Sequence, residues 1–351
     1  MRWSPCLIRS DPDAGPPELR LGDPLVDGYL EFVAARCRPN TVLATAYDLK
    51  VFFEVVGKEP TRVSTADVFA FIAAQRAPRR GPGVVRLEDG ETGLSARTIK
   101  RRLASVSGLF AYLMARDDVA VRRSPVPRGV ATRSRHGELR GVPLLRTPRT
   151  LPRVLAPVEV NGLLSALRTH RDRAMVLAMV LGGLRRCEVL GLRLEDVRAG
   201  ERRLFVAEGK GGHQRIVPVS SRFFTSLADY LELERPDSDN DRVFVVLRGP
   251  RRGEPLSAAG VDQVLLGARD RAGLDRATCH QLRHTCLTRL CEAGMALEAV
   301  QSQAGHRSIE STRVYLQLAN GWLADEYARA VAAIQNDVEA ATDVEARTGG
   351  R

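Results

Sequence analysis

The segment CHQLRHTCLTRL, from Cys279 to Leu290, contains two histidines four positions apart, His280 and His284. Histidines at this spacing share one face of a helix, and zinc proteases bind their metal through such a pair. A zinc protease has a glutamate directly after the first histidine as its general base, but here that residue is Gln281. Because Arg283 also lies beside the pair and local spacing suggests no third ligand, the pattern argues against a metal site.

The pair His280 and Arg283 is better suited to a phosphate group. A guanidinium can grip two phosphate oxygens at once, and an imidazole can donate one further hydrogen bond. A single pair of this kind occurs by chance on many helices, so other residues must support it. The segment GGLRRCEVLGL supplies Arg185 after two glycines, with Glu188 one helical turn later, where the acid can orient the guanidinium.

Three further residues stand where they could take part in phosphate chemistry. Lys210 is one of only four lysines among 53 basic residues, and it lies in the glycine-rich segment EGKGGHQ between two predicted strands. His306 follows a glycine turn, and Tyr315 comes nine residues later in a predicted short helix. Each of these residues taken singly is more typical of a structural or solvent-exposed role.

Taken together, these motifs resemble those of the tyrosine recombinase family, also called the phage integrase family. They are Gly-Leu-Arg-x-x-Glu (Gly183 to Glu188), a hairpin lysine, His-x-Leu-Arg-His (His280 to His284), Gly-His and a later tyrosine, in the family's order and at its spacing. The resemblance covers residues 155–335, and a weaker one extends to the N-terminal half. Ala304 and Cys187 depart from the usual family residues, but neither change removes a reactive group.

The resemblance implies that Tyr315 is the nucleophile, which attacks a DNA phosphodiester and forms a 3′-phosphotyrosyl bond. It implies that Arg185 and Arg283 hold the non-bridging oxygens and stabilise charge in the transition state. Since the covalent bond retains the energy of the phosphodiester, no ATP is needed, and cationic side chains stand where a metal would. We therefore expect neither a cofactor nor a metal.

The resemblance also assigns proton transfer and hydrogen bonding. Lys210 would protonate the departing 5′ oxygen, which an arginine could not do because its pKa is too high. His280 and His306 would donate hydrogen bonds to the phosphate, and His280 could also accept the tyrosine proton. Glu188 is expected to support Arg185 or the fold, and His284 to pack or hydrogen-bond within its own helix.

The composition fits a protein that binds DNA. The net charge is +11, which favours a polyanionic partner. The longest uncharged apolar run, Ala174 to Leu184, is too short to span a bilayer, and the N-terminus does not have the pattern of a signal peptide. The scattered cysteines fit a reducing compartment. We therefore expect a cytoplasmic protein with no membrane partner.

The hydrophobic periodicity predicts a mainly α protein with a small antiparallel β-sheet. The resemblance implies that this sheet belongs to a catalytic domain, which forms a two-domain DNA clamp together with a helical core-binding domain. An apolar stripe at Leu49, Phe52, Phe53 and Val56 predicts one helix, which begins at Asn40 or Thr41. The predicted divisions are an N-terminal tail (1–19), a helical core-binding domain (20–120), a basic interdomain linker (121–152), the catalytic domain (153–335) and an acidic tail (336–351).

Four cations occupy the first turns of a helix that Ser95 is expected to cap. They are Arg97, Lys100, Arg101 and Arg102. The helix dipole is positive at this end, so cations are unfavourable there unless an anion lies nearby. The pattern predicts contacts with DNA phosphates, and a solvated basic face is the alternative.

The resemblance implies that the partner is double-stranded DNA, bound at two recombination sites by a homo-tetramer. A stripe of Leu323, Tyr327, Val331 and Ile334 on the last predicted helix could pack on its own domain or on a neighbouring subunit. The expected role is integrase or transposase of a mobile element. A relaxing enzyme of the type IB topoisomerase kind and a catalytically silent DNA-binding protein remain as alternatives.

Overall fold

The computed structural model describes residues 3–9, 19–77, 93–127, 130–133, 139–142, 144–145, 153–207, 214–306 and 308–318, together with the single positions 327 and 331. The chain divides into two compact units, Met1–Arg149 and Thr150–Arg351. Each unit has its own buried apolar core. Within the described ranges, no helix is both long and apolar enough to cross a membrane.

The N-terminal unit is a helical bundle. Its helices are α1 (Pro24–Ala34), α2 (Pro39–Val56), α3 (Thr65–Arg76) and α4 (Ala96–Met114). The stripe predicted on α2 lies in the core, with Leu49, Phe52 and Phe53 fully buried. Helix α2 begins slightly before the predicted cap, since Pro39 is pre-organised for a first helical position, and it ends at Gly57 in the left-handed conformation.

Helix α4 begins where the sequence indicated. The Ser95 hydroxyl accepts a hydrogen bond from the backbone N–H of Thr98 at 3.3 Å, which satisfies one of the free donors at the start of the helix. One face of α4, including Val106 and Leu113, is fully buried against the other helices. Three of the cations of the first turns, Arg97, Lys100 and Arg101, are exposed, while Arg102 is largely buried.

The N-terminal segment differs from the expected tail. The ring of Trp3 lies 4.8 Å from that of Phe53 on α2, in an edge-to-face arrangement. Strand β1 (Ile8–Arg9) pairs with β2 (Leu19–Arg20) in antiparallel register. Residues 3–9 therefore pack on their own unit, because the indole finds an aromatic partner there that the polar composition of the segment did not reveal.

The predicted linker contains a hairpin. Strands β3 (Val130–Arg133) and β4 (Leu139–Val142) pair antiparallel, and Val121 and Leu145 join the core of the N-terminal unit. The sequence shows no apolar period here. Pairing of strands this short satisfies backbone groups and does not require a buried side-chain face, so periodicity could not reveal it.

The C-terminal unit is mainly helical and contains one small sheet. Its helices are α5 (Pro157–Ser165), α6 (His170–Val180), α7 (Arg186–Gly191), α8 (Ser221–Leu233), α9 (Ala258–Arg271), α10 (Cys279–Glu292), α11 (Leu297–Ala304) and α12 (Glu310–Leu318). The antiparallel sheet has the order β5 (Val197–Arg198), β6 (Arg203–Val206) and β7 (Arg215–Pro218). The predicted fold class is confirmed. Strand β5 was missed because a strand of two residues is too short to show an alternation of apolar and polar side chains.

Helix α6 lies at the centre of this unit and packs against α8 and α10. Its apolar run is buried on all sides, with Ala174, Leu177 and Met179 fully inaccessible. A helix that is apolar all round is typical of a protein core. Because α6 is held on every side, the turn that follows it is held in a fixed position.

Candidate active site

The turn after α6 positions Arg185. Gly183 has a φ of +68°, and a Cβ atom on Gly182 would lie 2.7 Å from the carbonyl oxygen of Ala178. Residues with a side chain would be strained at the first position and would clash at the second. The two glycines thus allow a tight reversal that places Arg185 at the start of α7, directly after the buried core.

The Glu188 carboxylate pairs with two arginines, Arg185 and Arg215, and its side chain has no exposed surface. It accepts hydrogen bonds from the backbone N–H of Arg185 at 2.9 Å and from its Nη1 at 2.7 Å. It also accepts from Nη1 and Nη2 of Arg215 at 3.0 and 2.8 Å. Burial alone would raise the pKa of Glu188, but Arg215 and Arg185 lower it to about 2. Glu188 therefore remains ionised and fixes two guanidinium groups.

Arg215 is a site residue that the sequence analysis missed. It lies on β7, and its Nε donates to the carbonyl oxygen of Gln303 at 3.2 Å. A signal was available, because alternation along a strand places Arg215 on the same face as Val217, which is fully buried. An arginine on the buried face of a strand indicates a buried acid opposite it.

Arg283 is only 3% exposed. Its guanidinium donates to the carbonyl oxygens of Gly183 and Ala304 and, at 3.1 Å, to Nε2 of His306. Burial and the nearby charge of Arg185 lower the pKa of Arg283 to about 10, and the charge of Glu188 opposes this shift. Arg283 remains a cation at neutral pH, and it is held between three elements of the unit.

The contacts of His306 determine which ring nitrogen carries its proton. Gly305 ends α11 with a φ of +60°, which turns the chain so that the next side chain faces Arg283. Because an arginine can only donate, Nε2 of His306 accepts, and Nδ1 carries the proton and donates to Thr312 Oγ1 at 3.0 Å. Burial and Arg283 lower the pKa of His306 to about 4. The predicted donation to phosphate would require the proton to move to Nε2.

Tyr315 lies on α12 and is 2% exposed. Its ring packs between two imidazoles, with centroids 5.4 Å from His284 and 6.1 Å from His306. Burial raises the pKa of Tyr315, and the charges of Arg283 and Arg185 act in the opposite direction. The phenol is therefore protonated at neutral pH, and its ring lies against two imidazoles.

The two histidines of CHQLRHTCLTRL lie against each other. Their Nε2 atoms are 2.7 Å apart and their ring planes are nearly perpendicular. Burial, with the charges of Arg283 and Arg185, lowers the pKa of His280. The prediction for His284 was too narrow, since this ring contacts both His280 and Tyr315. Spacing on α10 could not reveal the second contact, because it comes from α12.

An open pocket of about 500 Å³ lies beside Arg185, His280 and Arg283. Its lining residues are Arg185, Arg186, Cys187, Asp262, Thr278, Cys279, His280 and Arg283. A concave site with this surplus of cations suits a phosphate group. The structure brings together five of the six predicted catalytic residues, namely Arg185, His280, Arg283, His306 and Tyr315. The sixth, Lys210, lies outside the described residues.

The predicted DNA-contacting cations divide into two kinds. Arg97 and Lys100 are exposed. Arg101 donates to the carboxylate of Asp48 at 2.6 Å, and Arg102 donates to the side chain of Gln75. Asp48 is therefore an intramolecular anion for this helix end. The electrostatic argument for a phosphate now applies to the two exposed cations, while Arg101 already has an acidic partner.

Comparisons with known proteins identify the family of the chain. Residues 153–321 match the phage integrase family, and residues 26–117 match the N-terminal SAM-like domain of phage integrases. A tyrosine recombinase XerC of Roseiflexus castenholzii is 30% identical over 311 residues, which is 84% of this chain and 88% of that protein. The chain therefore belongs to the phage integrase family and is a tyrosine recombinase by class.

Other relatives cover the chain to a similar extent. A tyrosine recombinase XerD of Listeria monocytogenes serotype 4b is 28% identical over 321 residues, covering 86% of this chain and 97% of that protein. Among solved structures, the Tn1549 transposon integrase in complex with transposon right end DNA matches with a TM-score of 0.64. It is 18% identical and covers 88% of this chain and 99% of that one, so this likeness concerns the fold.

Proposed function

We propose that this protein is a site-specific DNA recombinase that cleaves and rejoins strands through a phosphotyrosyl bond on Tyr315. The observation that carries the proposal is the grouping of a buried tyrosine with Arg283 and three imidazoles beside a cationic pocket. In the proposed reaction the Tyr315 oxygen forms a bond to phosphorus as the bond to the 5′ oxygen breaks. Arg185 and Arg283 stabilise the charge on the non-bridging oxygens.

The leaving 5′ oxygen needs a proton, and we propose that Lys210 donates it. The product is a 3′-phosphotyrosyl strand with a free 5′-hydroxyl, which can attack in reverse to rejoin the same or a second strand. The proposed chemistry uses neither ATP nor a metal, because the guanidinium groups provide the positive charge and the phosphotyrosyl bond retains the energy of the phosphodiester.

A bound phosphate would have to compete with the present partners of Arg283. Its guanidinium is engaged by two carbonyl oxygens and by His306. We propose that DNA binding shifts the segment around Gly305 and His306, which frees Arg283 for phosphate and exposes Tyr315. If Glu188 keeps its hydrogen bonds to Arg185 and Arg215, the rest of the site would stay in place during such a shift.

The larger assembly is also proposed. The relatives are named as Xer recombinases and a transposon integrase. We propose that residues 20–120 and 153–335 act as DNA-binding and catalytic domains joined by the linker 121–152. Four copies would exchange strands between two duplex sites in the cytoplasm, in the service of a mobile element. The competing possibilities are a relaxing enzyme that never exchanges strands and a silent DNA-binding protein.

The first test traps the covalent adduct. The full chain is incubated with a random-sequence library of duplexes nicked close to the expected break, so that the short released strand diffuses away. Tyr315→Phe should abolish the adduct and keep DNA binding, and Tyr327→Phe, at a 70% exposed tyrosine, should leave adduct formation unchanged. Adduct formation by Tyr315→Phe, or none by the unchanged chain, would contradict the proposal.

A second test separates recombination from relaxation. Two copies of the sequence recovered from the adducts are placed on one supercoiled plasmid. We expect products with exchanged flanks, deleted or inverted according to the orientation of the two copies. Relaxed plasmid without exchanged flanks would favour the topoisomerase-like alternative.

A further inference from the structure

The two imidazoles beside Tyr315 differ in the nitrogen atoms they have available. Both nitrogens of His306 are engaged, Nε2 by Arg283 and Nδ1 by Thr312. His284 uses only Nε2, toward His280, and its buried Nδ1 has no hydrogen-bond partner among the described residues. Of the two rings that contact the tyrosine, His284 is therefore the one with an unengaged nitrogen, and the Tyr315 hydroxyl has to move within hydrogen-bond distance of that nitrogen before a proton can pass.

The contact between His280 and His284 fixes where their protons lie. Two Nε2 atoms 2.7 Å apart must share one proton. A buried N–H without an acceptor is less favourable than a buried lone pair, so Nδ1 of His284 carries the lone pair and Nε2 carries the proton. His284 then donates to Nε2 of His280, and His280 holds its own proton on Nδ1.

We propose that His284 accepts the proton of Tyr315 on Nδ1 during cleavage and passes the proton on its Nε2 to His280. This inference rests on the proposed function and goes beyond it, because it gives a role to the histidine for which neither motif nor spacing suggested one. His280 lines the phosphate pocket. The relay thus joins the buried nucleophile to a ring at the DNA-facing side.

Bonds and charges balance in this scheme. The O–H bond of Tyr315 breaks, and its oxygen forms the bond to phosphorus while the bond from phosphorus to the 5′ oxygen breaks. The proton of the phenol arrives on Nδ1 of His284 as the proton on Nε2 leaves for His280, so His284 ends neutral and His280 ends as an imidazolium. The phosphate beside His280 stabilises that charge. Rejoining returns the proton by the same route.

The surroundings keep His284 ready to accept. The titratable groups that face it are His280 and Arg283 on its own helix, Tyr315 on α12 and His306 before α12. Burial, then His280 and Arg283, lower the pKa of His284 to about 4, so the ring is neutral at physiological pH. A neutral ring can receive a proton, whereas a ring already protonated could not.

The experiment uses the full chain and the duplex sequence recovered from the trapped adducts. His284→Asn and His284→Gln keep polar side chains that cannot take up a proton, and His170→Asn is the control at a histidine outside the site. We expect single-turnover adduct formation to fall about 100-fold in both His284 variants. In these variants the remaining rate should keep rising with pH, as the phenol ionises without help.

A second measurement separates proton transfer from structural damage. A DNA strand with a 3′-p-nitrophenyl phosphate is joined to a 5′-hydroxyl by a chain that carries Tyr315→Phe. Nitrophenolate leaves without a proton, so adding His284→Asn should leave this joining rate unchanged. The same variant would thus lose cleavage and keep an intact phosphate site.

Two results would overturn the relay while leaving the proposed function intact. One is adduct formation by both His284 variants within about threefold of the unchanged chain at every pH. The other is a loss of nitrophenyl phosphate joining as large as the loss of cleavage. If the unchanged chain forms no Tyr315-dependent adduct, the proposed function fails, and the relay fails with it.

Discussion

Each unit of this protein contains a buried carboxylate that pairs with more than one arginine, but the two clusters differ in how exposed the most exposed arginine is. Asp48 in the N-terminal unit is itself 3% exposed; it lies 3.8 Å from the largely buried Arg102, at 15% exposure, and pairs more closely with Arg101, whose side chain is 53% exposed. Glu188 in the C-terminal unit pairs with Arg185 and Arg215, which are 20% and 12% exposed. A shallow cluster can exchange its partners for water or DNA at little cost, while a deep one must keep them.

The difference shows why a run of cations in a sequence is ambiguous. The cations on α4 suggested a missing anion, and Asp48, more than 40 residues earlier, supplies part of it. Around Glu188 the arginines are fixed by several hydrogen bonds, and Arg185 borders an open pocket together with Arg283 and His280. A cationic site becomes suited to chemistry when a buried acid fixes the guanidinium groups and leaves one side of them open to a ligand.

The largest effect on stability is expected from Glu188→Gln. The change leaves Arg185, Arg215 and Arg283 without their common anion inside the unit. We expect a loss of about 3–5 kcal/mol in the free energy of unfolding, as for other broken buried ion pairs. Urea denaturation followed by circular dichroism measures it.

The matched change in the other cluster is Asp48→Asn, for which we expect a loss of roughly 1–2 kcal/mol, because Arg101 can turn into water. Asp241→Asn is the control, since this acid is 55% exposed and pairs with a surface arginine. Equal losses for Glu188→Gln and Asp48→Asn would show that depth does not separate the two clusters.

A second prediction concerns the arginine that spacing did not reveal. Arg215→Lys keeps the positive charge and loses the two-point grip on Glu188. We expect the rate of cleavage to fall about tenfold or more, with DNA affinity nearly unchanged, because Glu188 would hold Arg185 less firmly. Arg101→Lys is the matched change at Asp48 and should leave the cleavage rate unaltered. A parallel loss of affinity in Arg215→Lys would mean that this residue contacts DNA itself.

Sequence reasoning recovered the parts of the molecule that local pattern determines. The buried stripe of α2, the Ser95 cap and the short helix around Tyr315 follow from periodicity and capping. The pair His280 and Arg283 followed from the chemistry that a phosphate requires, whereas Tyr315 and His306 were recognised through the resemblance to the tyrosine recombinase family. These features depend on residues within a few turns of one another, so a single sequence is enough to reveal them.

Contacts between distant elements were missed. The bond from Arg215 to Glu188, the ring contact of His284 with Tyr315 and the pairing of Arg101 with Asp48 each join separate elements. Spacing along one helix cannot reveal what a second helix or strand brings to it. These contacts decide which histidine has a free nitrogen and which cation is already paired, so the roles of the individual residues required the structure.

The third prediction concerns acid stability. Burial holds the pKa values of His284 and His306 at about 4, below the usual 6.5. Between pH 6.5 and 4 the unfolded chain therefore binds more protons than the folded one, and the free energy of unfolding falls as the pH is lowered. The rings are partly exposed, so we expect roughly 1–2 kcal/mol for each ring after allowance for screening by solvent.

Urea denaturation at several pH values between 7.5 and 4.5 measures this slope. His306→Asn should make it shallower. Both histidines lie in the C-terminal unit, which contains Glu188. We therefore expect acid to destabilise this unit before the N-terminal unit, which contains Asp48. An unchanged slope in His306→Asn would mean that other groups cause the acid sensitivity.

The smallest expected effect concerns two cations on α4. It tests whether the ion pair with Asp48 reduces the contribution of Arg101 to DNA binding. Arg97 is exposed, and Arg101 donates to Asp48 at 2.6 Å. If both cations lie near phosphates, Arg97→Ala should lower the slope of log affinity against log salt concentration by about 0.9, the value for one released counterion. Arg101→Ala should lower it by less, because Asp48 already offsets part of that charge.

Fluorescence anisotropy on duplex DNA over a salt series measures both slopes. Equal decreases would mean that Arg101 leaves Asp48 and pairs with a phosphate when DNA binds. The ion pair with Asp48 would then not reduce the contribution of Arg101 to DNA binding.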